Sequence, residues 1–148
     1  MNPKQFAEQE LKKITEAFNE QGMIDTAVYF FKDDNRFAIP VTFNNEAQKV
    51  AVEQGVKDMV KRAMPDTVIY VSEAWAAWLN DDPRMPTDRP DRIEVVVVQI
   101  EFKTGEKYGC AADIIRNGGN IHLGEFKIVE GEQAQGLFTD FYPPSSVN

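Results

Sequence analysis

Two carboxylates and the chain's one imidazole fall at positions that could do acid–base work: Glu94, Asp113 and His122. A carboxylate beside a histidine fixes the ring's tautomer and raises its basicity. With a fourth ligand the trio could also hold a divalent metal, and Glu73 is placed to be that ligand if its strand is a neighbour. The ordinary alternative is a solvated sheet face whose carboxylates pair with Arg92 or Arg116. That alternative carries the greater weight, because no established ligand spacing such as His-x-x-x-His occurs. No cofactor is expected.

Hairpin register is what would bring the trio together. Arg92 to Lys103, Glu106 to Arg116 and Asn120 to Val129 read as three consecutive strands. Thr104-Gly105 and Gly118-Gly119 read as two-residue turns between them. Turn length sets register, so Glu94 lies beside Ile115, and Ile115 beside His122. Val96 then lies beside Asp113 and Gly124. The next rows are Val98, Ala111 and Phe126, then Ile100, Gly109 and Ile128. All share one face, with the polar groups about 5 to 10 Å apart by strand spacing. The opposite face carries Ile93, Val95, Ile114, Ile121 and Leu123 near Gly118, then Gln99, Lys127 and Glu101. A one-residue bulge would scatter the trio onto different faces. Neither face is uniformly apolar, as expected if helices cover part of one face or an oligomer interface covers the other.

Other candidates are weaker. Trp75 and Trp78 could form an aromatic platform for a partner or line a small-ligand pocket; closing over the core is the commoner role. Arg89-Pro90-Asp91-Arg92 could offer two guanidinium groups to a carboxylate or phosphate. The commoner arrangement is internal, with Asp91 capping the loop and an arginine paired to an acid such as Glu94. Cys110 has no cysteine partner, and the histidine lies across the sheet from it. Serines occur only at positions 72, 145 and 146, with no Gly-x-Ser-x-Gly elbow. Gly118-Gly119 lacks the following helix and Gly-Lys-Ser/Thr of a phosphate loop.

The elements that must position these residues follow from periodicity and punctuation. Asn2 caps a helix starting at Pro3, with Ala7, Leu11, Ile14 and Phe18 as its apolar stripe and Gly22 as its stop. Thr26 to Phe31 and Phe37 to Phe43 form a hairpin around Lys32-Asp33-Asp34-Asn35, with Pro40 marking a sheet edge. Asn45 caps a second helix, with Gln48 reaching back to it. Val52, Val56, Met59, Val60 and Ala63 form its buried stripe, and Pro65 stops it. Thr67 to about Trp75 is a third strand, unless Ser72 caps a short helix. A proline-rich loop, Asn80 to Asp91, follows. The fold class is α+β: a mainly antiparallel sheet of about six strands with two helices on one face, in the order α-β-β-α-β-β-β-β.

The chain has 148 residues, of which 43% are hydrophobic and 27% charged, which fits one domain over 1–148 with a sizeable core. Residues 131–148 form an acidic tail whose Leu137, Phe138, Phe141 and Tyr142 dock on the domain or a neighbour. Sixteen Lys and Arg against 24 Asp and Glu give a formal charge of -8. No basic patch is present to displace counterions, which disfavours nucleic acid and an anionic membrane surface. A lone cysteine and an N-terminus without an apolar signal core point to a reducing, cytoplasmic setting.

Val71-Ser72-Glu73-Ala74-Trp75, then Arg89-Pro90-Asp91-Arg92-Ile93-Glu94-Val95, resembles small bacterial and phage-associated proteins. These share a Ser-Glu-x-Trp followed by Pro-Asp-Arg-x-Glu. The resemblance spans Val71 to Val95 and implies a bacterial or phage origin, with no activity attached. The reading favoured by the sequence is a non-enzymatic module that binds a protein partner or itself, possible as a homodimer. An accessory protein, an immunity-type inhibitor or an oligomeric scaffold would each fit. The alternative is a small metal-dependent or acid–base enzyme built on Glu94, Asp113 and His122.

Overall fold

The computed structural model describes residues 1–77, 82–131 and 140–143. Helix α1 spans Pro3–Gln21 and opens as the sequence indicates. The Asn2 side chain accepts the Gln5 N–H at 2.9 Å, and Gln5 Oε1 accepts the Asn2 N–H at 3.2 Å. Gly22, at φ 74°, closes it by donating to the Phe18 carbonyl. Strands β1 (Ala27–Lys32) and β2 (Asn35–Pro40) form a hairpin across Asp33 and Asp34, both at positive φ. Helix α2 spans Glu46–Ala63. Asn45 caps it, but Gln48 accepts from the Asn44 N–H, one residue before the expected partner. Strand β3 (Thr67–Ala76) carries Ser72 within it, so no helix begins there.

After the proline-rich loop come β4 (Ile93–Phe102), β5 (Lys107–Asn117), β6 (Asn120–Leu123) and β7 (Lys127–Glu130). The sheet order is β2-β1-β3-β4-β5-β6, with β7 also on β5, and every pairing is antiparallel. The fold is therefore α+β with two helices and a mostly antiparallel sheet. The expected last strand is split in two.

The helices lie on opposite faces of the sheet rather than on one. Ala7, Leu11 and Phe18 of α1 pack with Ile69, Val71, Val96, Val98 and Ile100. Val56 and Val60 of α2 pack with Val28, Phe30, Val68 and Tyr70 on the other side. The reason is visible in β1 and β3. Val28 and Phe30 face one way while Tyr29 and Phe31 face the other, and Val68-Ile69-Tyr70-Val71 divides likewise. Strands apolar at every position need a cover on both faces. Of the stripe expected on α2, Val56 and Val60 are buried; Met59 and Ala63 are exposed.

Register departs from expectation at one turn. The β4–β5 loop has three residues, Lys103-Thr104-Gly105, with the Phe102 N–H donating to Glu106 O at 3.0 Å and Gly105 at φ 108°. Val98 therefore stands opposite Cys110, and Val95 opposite Asp113. A one-residue slip moves every side chain of one strand to the other face relative to its neighbour. The β5–β6 register is as expected, with Ile115 opposite His122. A second slip follows across Gly124 to Phe126: Cys110 pairs with Ile128 and Ala111 with Lys127.

Candidate functional site

The slip at Lys103-Thr104-Gly105 decides the fate of the expected trio. Asp113 shares a face with Val95, whereas Glu94, the preceding residue in β4, points to the other face. Glu94 instead pairs with Arg116, whose Nε lies 2.7 Å from Oε2. Asp113 and His122 remain on one face, but Glu94 is not with them. Glu73, the expected fourth ligand, accepts the Ile24 N–H at 3.0 Å and helps hold the chain after α1. Among the described residues, no group of three or more His, Cys, Asp or Glu side chains stands close enough to hold a metal ion.

The arginine-bearing loop is wired internally. Arg89 is 4% exposed, and its fork meets Asp91 through Nε at 2.9 Å and Nη2 at 2.6 Å. The acid is thus Asp91 rather than Glu94. Arg84 grips Asp82 in the same way and holds that carboxyl well below the usual range. Arg92 lies over the Trp75 ring, 4.5 Å from its centroid. Trp75 is 40% exposed, so it does not close over the core. Trp78, Leu137 and Phe138 lie outside the described residues. Cys110 is buried, and burial pushes its thiol up to about 12, which leaves it a packing group.

A different set of residues converges at the other end of the sheet. Glu101 of β4 is 2% exposed, on the α2 side. Its Oε1 accepts the Phe141 N–H at 3.1 Å, while Oε2 has no hydrogen-bond partner among the described residues. Burial raises its carboxyl to about 7, against the pull of the Phe141 N–H and the Lys107 ammonium. The segment Asp140 to Pro143 lies across this residue. Phe141 is 1% exposed in the α2-side core, Asp140 pairs with Lys107, and the Tyr142 hydroxyl donates to the Pro65 carbonyl at 2.9 Å. Beside it opens a cleft of about 880 Å³ between α2, the Lys103–Gly105 turn and this segment.

Sequence reasoning assigned Glu101 to a polar sheet face and missed its burial. Val95-Val96-Val97-Val98 marks β4 as a strand covered on both faces, but nothing local to Glu101 distinguishes it from Glu94 of the same strand, which is half-buried and ion-paired.

A family model described as Bacteriophage lambda protein ea47 matches residues 3–143. No curated protein and no solved structure matches. The expectation of a phage association agrees with that finding. No helix among the described residues is long and apolar enough to cross a membrane.

Proposed function

The chain belongs to the bacteriophage lambda ea47 family, and from that premise we propose that it is a non-catalytic module that works by pairing with protein, in the first instance with a second copy of itself. The observation that carries this reading is the β2 edge. Five of the six residues of Asn35–Pro40 are exposed, and Phe37 is 59% exposed. An open edge strand presents a row of backbone donors and acceptors to another chain, and natural proteins usually blunt such edges with charge. Here the only charged residue of the strand, Arg36, folds back over the Tyr29 ring at 4.3 Å from its centroid. Pro40 blunts the end of the strand, and the edge is left with Phe37 and Ala38 at its middle.

The wiring of Glu94, Glu73 and Arg89 supports the same reading, since each is engaged in holding the fold. Light scattering across a wide concentration range tests it. The chain should associate, and Ala38→Pro, which removes a strand N–H, should return it to monomer. A strict monomer at every concentration, in both forms, overturns the reading.

A further inference from the structure

Glu101 is an expensive residue for a purely structural role. A buried carboxyl with one oxygen unmatched costs more than an amide or an apolar side chain of the same size. What it does hold is informative: a backbone N–H of a short segment whose side chains are each received separately. Phe141 fills an apolar socket, Lys107 takes the Asp140 carboxylate, and the Pro65 carbonyl takes the Tyr142 hydroxyl. A buried aromatic anchor flanked by polar contacts is the pattern by which protein surfaces read peptides.

The rest of the cleft extends that chemistry. In a chain of net charge -8, its walls carry Lys57, Lys61, Lys103 and Lys107 against Asp58 and the buried Glu101. Lys57 is paired with Glu53 at 2.9 Å and Lys107 with Asp140. Lys61 and Lys103 have no ion pair among the described residues, and they border open volume beside an acidic–aromatic segment already in place.

We propose that this cleft is a peptide-recognition site, that Asp140–Pro143 is its self-ligand, and that its partner is a protein segment carrying an acidic residue followed by an aromatic anchor. The proposal rests on the protein-binding reading above but not on the β2 edge. The residue after the acid must have an N–H, because Glu101 accepts it; proline is excluded there. A tethered self-ligand competes at an effective concentration on the order of millimolar, so a partner must bind better than that or meet a loosened segment.

The test uses the full chain and a fluorescein-labelled synthetic peptide covering residues 137–146. Phe141→Ala empties the socket, and the peptide should bind that variant about tenfold or more tighter than the unaltered chain, whose socket is filled. The same peptide with N-methylphenylalanine in place of Phe141 keeps the ring and loses the N–H, and should bind about tenfold more weakly. Equal binding to both chains, no binding to a folded Phe141→Ala, or indifference to N-methylation overturns the proposal. If Phe141→Ala does not fold, Asp140→Lys leaves the core intact and sets two cations against each other. Peptide binding must then exceed that of the unaltered chain, and the absence of a gain overturns the proposal. Peptide binding by a strictly monomeric chain would remove β2 pairing and keep the cleft; association without peptide binding would do the reverse.

Discussion

Replacing Glu101 by glutamine removes a charge and little else. The amide keeps the size of the side chain and an oxygen to accept the Phe141 N–H. In the folded chain, burial raises the carboxyl from 4.5 to about 7, with the Phe141 N–H and Lys107 offsetting part of the cost. The unfolded chain gives up the same proton near the ordinary value. Between those two values the folded state binds more protons than the unfolded one, so stability falls as pH rises. The loss begins near 4.5, the unfolded value, and is complete above about 7, the folded value. At about 1.4 kcal/mol per unit, a rise of this size removes about 3 kcal/mol. Urea unfolding of both chains at steps from about pH 5 to about pH 8 measures it. The wild type should lose about 2 to 3 kcal/mol relative to Glu101→Gln across that window. The variant should be the more stable chain at the alkaline end. Every other titrating group is common to the two, so the difference between the profiles isolates this one. The acids lowered by their partners, Asp82, Asp91 and Glu106, contribute stability that is lost only as pH falls below their ordinary values, outside the window. Parallel profiles would refute the reasoning and mean that Glu101 is solvated in the folded chain.

Three further outcomes are expected. Phe18→Ala, at the fully buried centre of α1's face, should cost about 3 to 5 kcal/mol in urea unfolding, and a loss below about 1 kcal/mol would mean that α1 does not seal that core. Gly105→Val meets no atom within 4 Å but forces a branched side chain to φ 108°, so it should cost about 1 kcal/mol or more through backbone strain alone, read as a lower thermal midpoint. Association through β2 joins two chains of net charge -8, so raising ionic strength should tighten it in sedimentation experiments; weakening by salt would point to an ion-paired interface instead.

Most elements were legible because their signals are local. Asn2, Pro3 and Gly22 mark α1 to within a residue, Pro40 identifies the edge strand, and Gly118-Gly119 sets the β5–β6 register correctly. The polar trio was lost to a single residue of turn length. Thr104-Gly105 and Lys103-Thr104-Gly105 are both good turns by composition. What chooses between them is which faces the finished core needs to bury, a tertiary demand not written in the turn. The same demand explains the misplaced helix. Alternation along β1 and β3 is apolar on both sides, and a one-sided sheet was assumed where a two-sided one was encoded. Glu101 was invisible for a related reason: its burial depends on Phe141, forty residues away, folding back across β4.

The division of β5's outer neighbour into two short strands has a consequence for how the domain opens. One half of β5 is held by β6, which α1 clasps through Leu123 and the Asn19 side chain. The other half is held by β7, all four of whose residues are exposed. Gly124 sits at the joint, where a Cβ would come within 3.4 Å of Ile115. β5 itself stays held behind β7, because β4 pairs with it from Lys107 to Asp113 and Tyr108, Cys110 and Ala112 are buried there, so the lightly held element is β7 alone. β7 can peel from the edge while β6 stays clasped by α1, so backbone amides of β7 should trade their hydrogens with solvent long before those of β6. The peeling edge ends at Gly124, where the chain passes from the clasped strand to the exposed one.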